Sequence, residues 1–320
     1  MNTLPTGAAD LQPRRQILDR IFRGSTLGAG ALILIVLALI AYTITNKSLP
    51  VIRSEGVKFL TDRNWVPANG VFGALSFIYG TAVTALIAVV ISVPVSIGIA
   101  LFTTQVAPNW LKKWLVSLTD LVAVVPSVVF GLWGIIYLAP KLVGFYKMVS
   151  GWFDGWPILG DIFGKAGAGR TFMTAGLILS VMITPIITSI AREVIETCPQ
   201  TDRDGALALG ATRWEMITGA VLPHSMGGIV GAVMLGLGRA MGETIAVALV
   251  IGSSPTITAN LFSSGDSLPS VIAFQWGEAT SEIKRSALIA MGLTLFILTI
   301  VVNLTATTVV NRATKRVQGA

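Results

Sequence analysis

The sequence predicts an all-α membrane protein with six transmembrane helices, and three observations support this prediction. The 320-residue chain is 53% hydrophobic. Its charged residues make up 12% of the chain, whereas soluble domains carry about 25%. Six segments contain the roughly 20 mainly apolar residues that a helix needs to cross a bilayer. These segments must be helical, because lipid cannot satisfy the backbone hydrogen-bonding groups of an irregular chain.

The predicted spans lie between two short tails. In chain order, they cover about 26–45, 72–104, 114–140, 171–191, 222–252 and 287–311. The chain thus divides into an N-terminal tail, a membrane domain and a C-terminal tail at 1–25, 26–311 and 312–320. The basic N-terminus is similar to a signal peptide, but no small-x-small cleavage site closes the apolar run, so we interpret it as the first span. Prolines fall inside three predicted helices, at Pro94, Pro126 and Pro185. Each removes a backbone hydrogen bond and tends to kink its helix.

The distribution of basic residues predicts the orientation. With six spans, both termini lie on the same side of the membrane. The loops and tails on that side contain twelve Lys and Arg residues, and those on the other side contain ten. The twelve lie in shorter segments, so the positive-inside rule places both termini in the cytoplasm. The longer loops 46–71, 141–170 and 253–286 then face outward, where they either bind an external partner or simply connect spans.

Several classes of function find little support in the composition. The chain has one cysteine, Cys198, and one histidine, His224, so we expect neither an internal disulfide nor a Cys/His metal site. The net charge is +7, but no basic run with interleaved aromatic residues indicates nucleic-acid binding. No G-x-x-x-x-G-K-[ST] motif is present, so we expect no ATP hydrolysis by this chain. We assign no catalytic residue and no metal ligand.

The fifth predicted span contains two charged residues, Arg239 and Glu243. A charge near the bilayer centre costs roughly 2.5–3.5 kcal/mol, so charged residues inside spans indicate a functional site. At positions i and i+4 of one helix, the two side chains would share a face. The Arg guanidinium has five N–H donors in a fork that suits tetrahedral oxyanions. Gly236, Gly238 and Gly242 surround the pair and allow close packing or open space.

Two interpretations of this pair are open. Arg239 and Glu243 either form an oxyanion gate, in which Glu243 neutralises Arg239 when no substrate is present, or form an ion pair that only locks helix packing. Asp120 in the third predicted span is either a carboxylate near the interface with a local partner or a further pathway residue linked to Arg239.

The predicted cytoplasmic loop 192–223 contains a short helix with either Thr201 or Asp202 as its N-cap and Asp204 in its first turn. Small residues follow at Ala206, Ala208, Gly210 and Ala211. A surface of small residues lets another surface approach closely. The helix is therefore either a docking element for a cytoplasmic partner or a loop helix packed on the membrane domain.

This loop resembles the EAA loop of ABC-importer permeases, whose pattern is Glu-Ala-Ala, three residues, Gly, nine residues and Ile-x-Leu-Pro. The corresponding residues here are Asp204, Gly205, Ala206, Gly210, Leu222 and Pro223. Ala220 stands where the pattern has Ile. The resemblance implies that this helix inserts into a cleft of a cytoplasmic ATPase and couples its motion to the membrane domain.

A second resemblance covers about residues 70–311. It is carried by Gly80-Thr-Ala-Val-Thr-Ala, Pro126-Ser-Val-Val-Phe-Gly-Leu-Trp-Gly and Gly236-Leu-Gly-Arg-Ala-Met-Gly-Glu-Thr. Together these segments resemble the PstC-type permeases of bacterial phosphate ABC importers. The PstA-type partner permeases have a similar charged motif that is usually followed by Ala-Pro-Leu, whereas Ile-Ala-Val follows Thr244 here.

The resemblance implies a type I ABC-importer permease fold in a bacterial inner membrane and ATP-driven import of inorganic phosphate. It implies that Arg239 and Glu243 take part in transport. The implied partners are a homologous PstA-like permease, two PstB-like ATPase subunits, which bind ATP and Mg²⁺, and a PstS-like phosphate-binding protein. The alternatives are a PstA-like subunit, a permease for another oxyanion such as sulfate or molybdate, a secondary anion transporter, and a regulatory membrane component.

Overall fold

The computed structural model describes the backbone of residues 12–318 and the side chains of residues 19–308. The first eleven residues of the expected tail 1–25, and the side chains of the expected tail 312–320, lie outside the described residues. The α-helices of the described chain are α1 Gln12–Glu55, α2 Lys58–Thr61, α3 Leu75–Leu101, α4 Asn109–Val124, α5 Ser127–Trp133, α6 Ala139–Phe153, α7 Leu159–Ile162, α8 Phe172–Glu196, α9 Gln200–Ala208, α10 Arg213–Met216, α11 Leu222–Gly242, α12 Ile245–Val250, α13 Leu268–Gln275 and α14 Glu282–Gln318.

Short irregular elements complete the fold. Single π-helical segments follow α3, join α5 to α6 and join α10 to α11, at Phe102–Val106, Gly134–Leu138 and Ile217–Val221. Two short strands, β1 Trp65–Val66 and β2 Val71–Phe72, pair antiparallel around the 3₁₀ turn Pro67–Asn69.

Six helical stretches are long and apolar enough to cross a membrane, which confirms the predicted all-α fold with six spans. They are Asp19–Glu55, Leu75–Val106, Ser127–Phe153, Phe172–Glu196, Arg213–Gly242 and Glu282–Thr308. The first stretch is longer than the predicted 26–45. The predicted loops 46–71, 141–170 and 253–286 contain secondary structure, namely α2, most of the β1–β2 hairpin, the second half of α6, α7 and α13.

The predicted third span, a single helix over 114–140, is wrong. Helix α4 ends at Val124, and Val125 and Pro126 have extended backbone conformations before α5 begins. The proline ring disfavours the helical conformation of the residue that precedes it, so the break falls at Val125. The third crossing stretch therefore starts at Ser127. By contrast, Pro94 and Pro185 lie inside the continuous helices α3 and α8.

The helices define two ends of the molecule. At one end, the hairpin β1–β2, α13 and the start of α8 lie together, and the rings of Tyr79 and Phe172 meet edge to face at 5.9 Å. We call this the hairpin end. At the other end, Lys112 Nζ and Glu196 Oε1 form an ion pair of 2.6 Å beside α9. We call this the α9 end.

Helix α8 is the centre of the core. Fourteen of its 25 residues are buried, and it packs against both α3 and α11. Glycines make these contacts close, because a Cβ on Gly176 would lie 2.4 Å from Ile87 Cγ2 and one on Gly236 would lie 2.7 Å from Ile187 Cδ1. Small residues that let helices approach in this way are typical of membrane interfaces.

Helix α1 packs against the bundle near its C-terminal end. The hydroxyl of Ser286 in α14 donates to the Lys47 carbonyl at 2.9 Å, and Val51 is fully buried. The apolar side chains from Ile21 to Tyr42 are exposed. Such a surface is expected of a helix that is surrounded by lipid or by another membrane subunit.

Gly80→Ala tests the contact between α3 and the chain that leads into α13. The added Cβ would lie 1.8 Å from the Asp266 backbone oxygen, and a backbone atom cannot move aside as a side-chain tip can. We expect a loss of about 1–3 kcal/mol in stability, seen as a lower unfolding midpoint of the detergent-solubilised protein. Gly98→Ala in the same helix is the control, because no atom lies within 4 Å of its added Cβ. Equal midpoints for the two variants would contradict this packing.

Candidate functional site

The segment that carries Arg239 and Glu243 is a broken helix. Helix α11 ends at Gly242, Glu243 is extended with φ −68° and ψ 124°, and α12 begins at Ile245. The predicted continuous helix over 222–252 is therefore wrong at this point. Glu243 is the C-cap residue of α11, and the shared face with Arg239 stays a prediction.

Arg239 lies in the last turn of α11, on its exposed face. This face carries exposed positions at Gly227, Gly231, Leu235, Arg239 and Gly242. A cation in the last turn also interacts favourably with the negative end of the helix dipole. The guanidinium has no hydrogen-bond or ion-pair partner among the described residues, so its donors are available to a ligand.

The opposite face of α11 packs into the core. Its buried residues are Ser225, Ile229, Ala232, Gly236, Leu237, Ala240 and Met241. Gly236 serves packing, whereas added Cβ atoms on Gly238 and Gly242 would meet nothing within 4 Å. The glycines next to Arg239 therefore leave open space beside the guanidinium.

Glu243 is half-buried at the break. Its Oε1 accepts a hydrogen bond from the Ala246 backbone N–H at 3.4 Å, so the carboxylate lies at the positive N-terminal end of α12. Within residues 19–308, the one ion pair shorter than 4.0 Å joins Lys112 and Glu196, so Arg239 and Glu243 are farther apart than this. Each of the two charges is therefore associated with a different helix end.

Asp120 is exposed on α4, near the end of that helix. Within the described part of the chain, its carboxylate has neither a hydrogen-bond nor an ion-pair partner, and no contact joins it to Arg239. Its membership of a pathway stays a prediction.

Helix α9 begins after Pro199, which occupies the N-cap position without a side-chain cap. The predicted N-caps, Thr201 and Asp202, lie inside the first turn instead. The helix ends in a Schellman motif, in which Gly210 N–H donates to Leu207 O at 3.0 Å and Ala211 N–H donates to Ala206 O at 3.1 Å. Gly210 has φ +89°, a conformation that an L side chain rarely adopts.

Helix α9 presents two different faces. On the inner face, Ala206 packs against a buried cluster that includes Ile195 and Cys198, and Arg203 Nη2 donates to the Ile195 carbonyl at 2.8 Å. On the outer face, Asp204 and Gly205 are exposed, and the side chain of Leu209 is 92% exposed. Leu209 thus extends the outer face of α9 at the C-terminal tip of the helix.

The chain then enters α11 through well-defined caps. Thr212 and Glu215 form a capping box at α10, with Thr212 N–H donating to Glu215 Oε2 at 2.7 Å. Leu222 packs against the same cluster as Ala206, and Pro223 lies in the first turn of α11, directly after the π-helical segment Ile217–Val221. Neither the hydrogen bond of Arg203 nor this capping box was predicted from the sequence, although Thr-x-x-Glu is a recognised capping signature.

Comparison with known families and proteins gives consistent matches. The family model described as "Binding-protein-dependent transport system inner membrane component" matches residues 92–317. The phosphate transport system permease protein PstC of Xylella fastidiosa (strain 9a5c) is 39% identical over 301 residues, which cover 94% of this chain and 92% of that protein. The phosphate transport system permease protein PstC 2 of Mycobacterium tuberculosis (strain H37Rv) is 40% identical over 306 residues, with 93% of each chain covered.

The fold also matches solved structures. A chain of the bacterial alginate ABC transporter, in complex with an alginate pentasaccharide-bound periplasmic protein, aligns with a TM-score of 0.58. The alignment covers 93% of this chain and 97% of that chain at 18% identity. At this identity, the likeness shows a shared fold and nothing about substrate.

Arg203→Gln tests the attachment of α9 to α8. Glutamine is too short to reach the Ile195 carbonyl, and a hydrogen bond from a charged donor contributes about 1.5–3 kcal/mol. We expect amide hydrogen exchange over residues 199–211 to rise about tenfold or more. Arg213→Gln is the matched control, since Arg213 is exposed and has no partner among the described residues. Unchanged exchange in Arg203→Gln would show that Ala206 and its cluster hold α9 alone.

Proposed function

The chain belongs to the binding-protein-dependent transport system inner membrane components, and within them to the PstC-type permeases. We propose that the exposed face of α11 around Arg239 lines the path along which phosphate crosses the membrane. The protein is a multi-pass membrane permease with the fold of ABC-importer permeases. It acts as a permease subunit of an ATP-driven phosphate importer, which requires ATPase and substrate-binding partners.

The observation that carries the proposed role of Arg239 is its exposure without a partner in a segment that crosses the membrane. A lipid-facing guanidinium in this position would be costly. A second permease subunit that packs beside the exposed face would enclose a path between the two chains. On that path, the fork of N–H donors would bind two oxygens of phosphate at once.

The glycines support this placement. Gly227 and Gly231 precede Arg239 on the same exposed face, and Gly238 and Gly242 have open space beside them. A face with few side chains leaves room for a hydrated anion along the helix. Broken helices whose ends face the pathway are a recurrent feature of transporter substrate sites.

Glu243 has a different proposed role from Arg239. Its carboxylate caps α12 through Ala246 and repels anions that come close. It would therefore limit how tightly phosphate is held near Arg239, so that the anion leaves again. We also propose Asp120 as a pathway residue. Its support is weaker, because its exposed carboxylate lies on α4 and has no contact with Arg239.

The α9 end is the proposed site of ATPase coupling. Its outer face offers Asp204, Gly205 and Leu209, while Ala206 and Leu222 pack against the buried cluster beneath the helix. Pro223 follows Leu222 in the first turn of α11. In our proposal, this chain performs no catalysis and binds no cofactor; two PstB-like ATPase subunits bind ATP and Mg²⁺ and drive the transport cycle. The α9 end and both termini then lie in the cytoplasm of a bacterial cell, and the hairpin end faces a PstS-like phosphate-binding protein. A PstA-like permease provides the other half of the pathway.

Rival functions make different predictions for transport. A secondary anion transporter would take up phosphate under an imposed ion gradient in vesicles whose ATPase subunits are inactive, and such uptake would overturn our proposal. A permease for another oxyanion would show strong competition by sulfate or molybdate. A PstA-like subunit would be recovered beside a PstC-type chain when the complex is purified.

Arg239→Gln should reduce phosphate uptake into cells by about 10- to 150-fold, since hydrogen bonds from a charged donor contribute about 1.5–3 kcal/mol. Arg239→Lys keeps the charge but loses the fork, so we expect an intermediate rate. Leu235→Met, one turn earlier on the same face, is the control and should transport normally. A regulatory component would instead keep full uptake in Arg239→Gln while phosphate-responsive expression changed.

Gly210→Val should uncouple the ATPase while the membrane domain stays folded. A left-handed backbone costs an L residue about 1–2 kcal/mol, so the last turn of α9 would rearrange. The measurement is co-purification of the ATPase subunits with the permease, together with ATP hydrolysis stimulated by phosphate-loaded binding protein. Gly205→Ala introduces the residue that the EAA pattern has at that position and should behave as wild type. Normal ATPase recovery and turnover in Gly210→Val would contradict the coupling role of α9.

A further inference from the structure

A cavity of about 300 Å³ lies at the hairpin end, on the opposite side of the molecule from α9. Its floor is made by Phe77, Asp266 and Val271, whose exposed fractions are 0%, 5% and 1%. Its rim includes Ser253 and Phe274, both of which are exposed. The cavity thus connects the surface to a buried carboxylate that the proposed transport mechanism does not use.

The charge of Asp266 is poorly compensated within the described chain. Its Oδ1 accepts hydrogen bonds from the Ser267 N–H at 2.8 Å and from the Ser270 hydroxyl. Both donors are neutral, and no Lys, Arg or His lines the cavity. Burial raises the pKa of the Asp266 carboxyl, because the low-dielectric surroundings destabilise its charged form. A cation that enters the cavity would stabilise the carboxylate.

Aromatic side chains form the walls of the cavity. The Trp65 ring packs edge-on against Phe77 at 5.5 Å, and its Nε1 donates to Gln275 Oε1 at 2.9 Å. Phe274 is half-exposed at the mouth. Aromatic faces attract cations, and the attraction grows when the cation leaves water. An anionic floor with aromatic walls is a suitable receptor for an alkylammonium or guanidinium group.

The cavity is also held in shape before any ligand arrives. The Asp266 backbone lies directly against Gly80 of α3, and Leu268 N–H donates to Thr81 Oγ1 at 2.9 Å. At the rim, Ser253 has φ +53°, a strained conformation for a residue other than glycine. A preformed site loses less conformational entropy on binding.

Other ligands fit this chemistry less well. Phosphate is repelled by the carboxylate and finds no basic side chain on the walls. A metal ion needs several ligands, and the described residues contain no group of three or more His, Cys, Asp or Glu side chains that could hold one. An organic cation of about the size of one long side chain therefore fits the cavity best.

We propose that this cavity receives a lysine or arginine side chain of the extracytoplasmic phosphate-binding protein when that protein docks. The inference rests on the proposed function, which places the hairpin end on the side where the binding protein delivers phosphate. A desolvated cation in a pocket of this kind is a typical anchor of a protein interface. The bound side chain would also hold α13 in place, and α13 packs against α3, α12 and α14.

Asp266→Asn provides the first test. Asparagine keeps an oxygen that accepts from Ser267 and Ser270, so the local fold is preserved while the charge is lost. With the assembled importer in lipid nanodiscs, we expect the dissociation constant for the phosphate-loaded binding protein to rise at least tenfold. Glu278→Gln is the matched control, because it removes the same charge from an exposed position of the same loop and should bind as wild type. Equal affinity of Asp266→Asn and wild type would overturn the proposal.

A second measurement does not depend on the folding of an Asp266 variant. Each exposed Lys and Arg of the binding protein is replaced by Gln, and binding to the wild-type importer is measured. One replacement should weaken binding at least tenfold, and it should have no further effect on the Asp266→Asn importer. If every single replacement binds as wild type, or if the two losses simply add, no cation occupies this cavity.

These results distinguish the inference from the proposed function. If the phosphate-binding protein does not bind the wild-type importer at all, the proposed function fails. If it binds the wild type and Asp266→Asn equally well and phosphate uptake continues, only the inference about the cavity fails.

Discussion

A helix in lipid must satisfy its own backbone hydrogen bonds, and this constraint determines where the chain places its functional groups. The six crossing stretches are helical almost throughout. The fifth stretch ends at Gly242, and between Gly242 and Ile245 the chain has to satisfy its backbone by other means. Glu243 does part of this by accepting from Ala246. The break creates two helix ends, and each is stabilised by a charge of the favourable sign. Arg239 lies at the C-terminal end of α11, and Glu243 lies at the N-terminal end of α12.

The same constraint explains which parts of the fold could be predicted. Six long apolar segments are sufficient to predict six spans, because hydrophobic length alone decides whether a segment crosses a bilayer. The proposed role of Arg239 rests on the cost of a charge in lipid, which the sequence alone shows. The end of the helix at Gly242 could not be predicted in the same way, because hydrophobicity continues on both sides of the break. In the sequence, Gly242 before Glu243-Thr244 is the one local signal that a helix ends there.

The Asp266 cavity could not be predicted from the sequence, for a different reason. Its floor joins Phe77 of α3 to residues nearly two hundred positions later, and its shape depends on the absence of a side chain at Gly80. Such long-range contacts leave no periodic pattern in a single sequence. The Ser267–Ser270 capping box does leave a local signature, but a loop helix without its neighbours gives no indication that Asp266 is buried.

Helix α8 connects the functional ends of the molecule. Arg203 and Ala206 attach α9 to the C-terminal end of α8 and its cluster, and Gly236 fixes α11 closely against the middle of α8. Arg239 follows one turn later, about 24 Å along α11 from Pro223 at 1.5 Å per residue. A tightly packed helix pair has few ways to absorb strain internally, because a close glycine contact leaves no side chain to rearrange. A displacement of α9 that kept these contacts would therefore carry α8 and α11 as one body and move Arg239 relative to any subunit that faces it. Gly238 and Gly242 have no such contacts. The exposed side of α11 at Arg239 can therefore meet different neighbours as the helix moves, while the buried side keeps its contacts with α8.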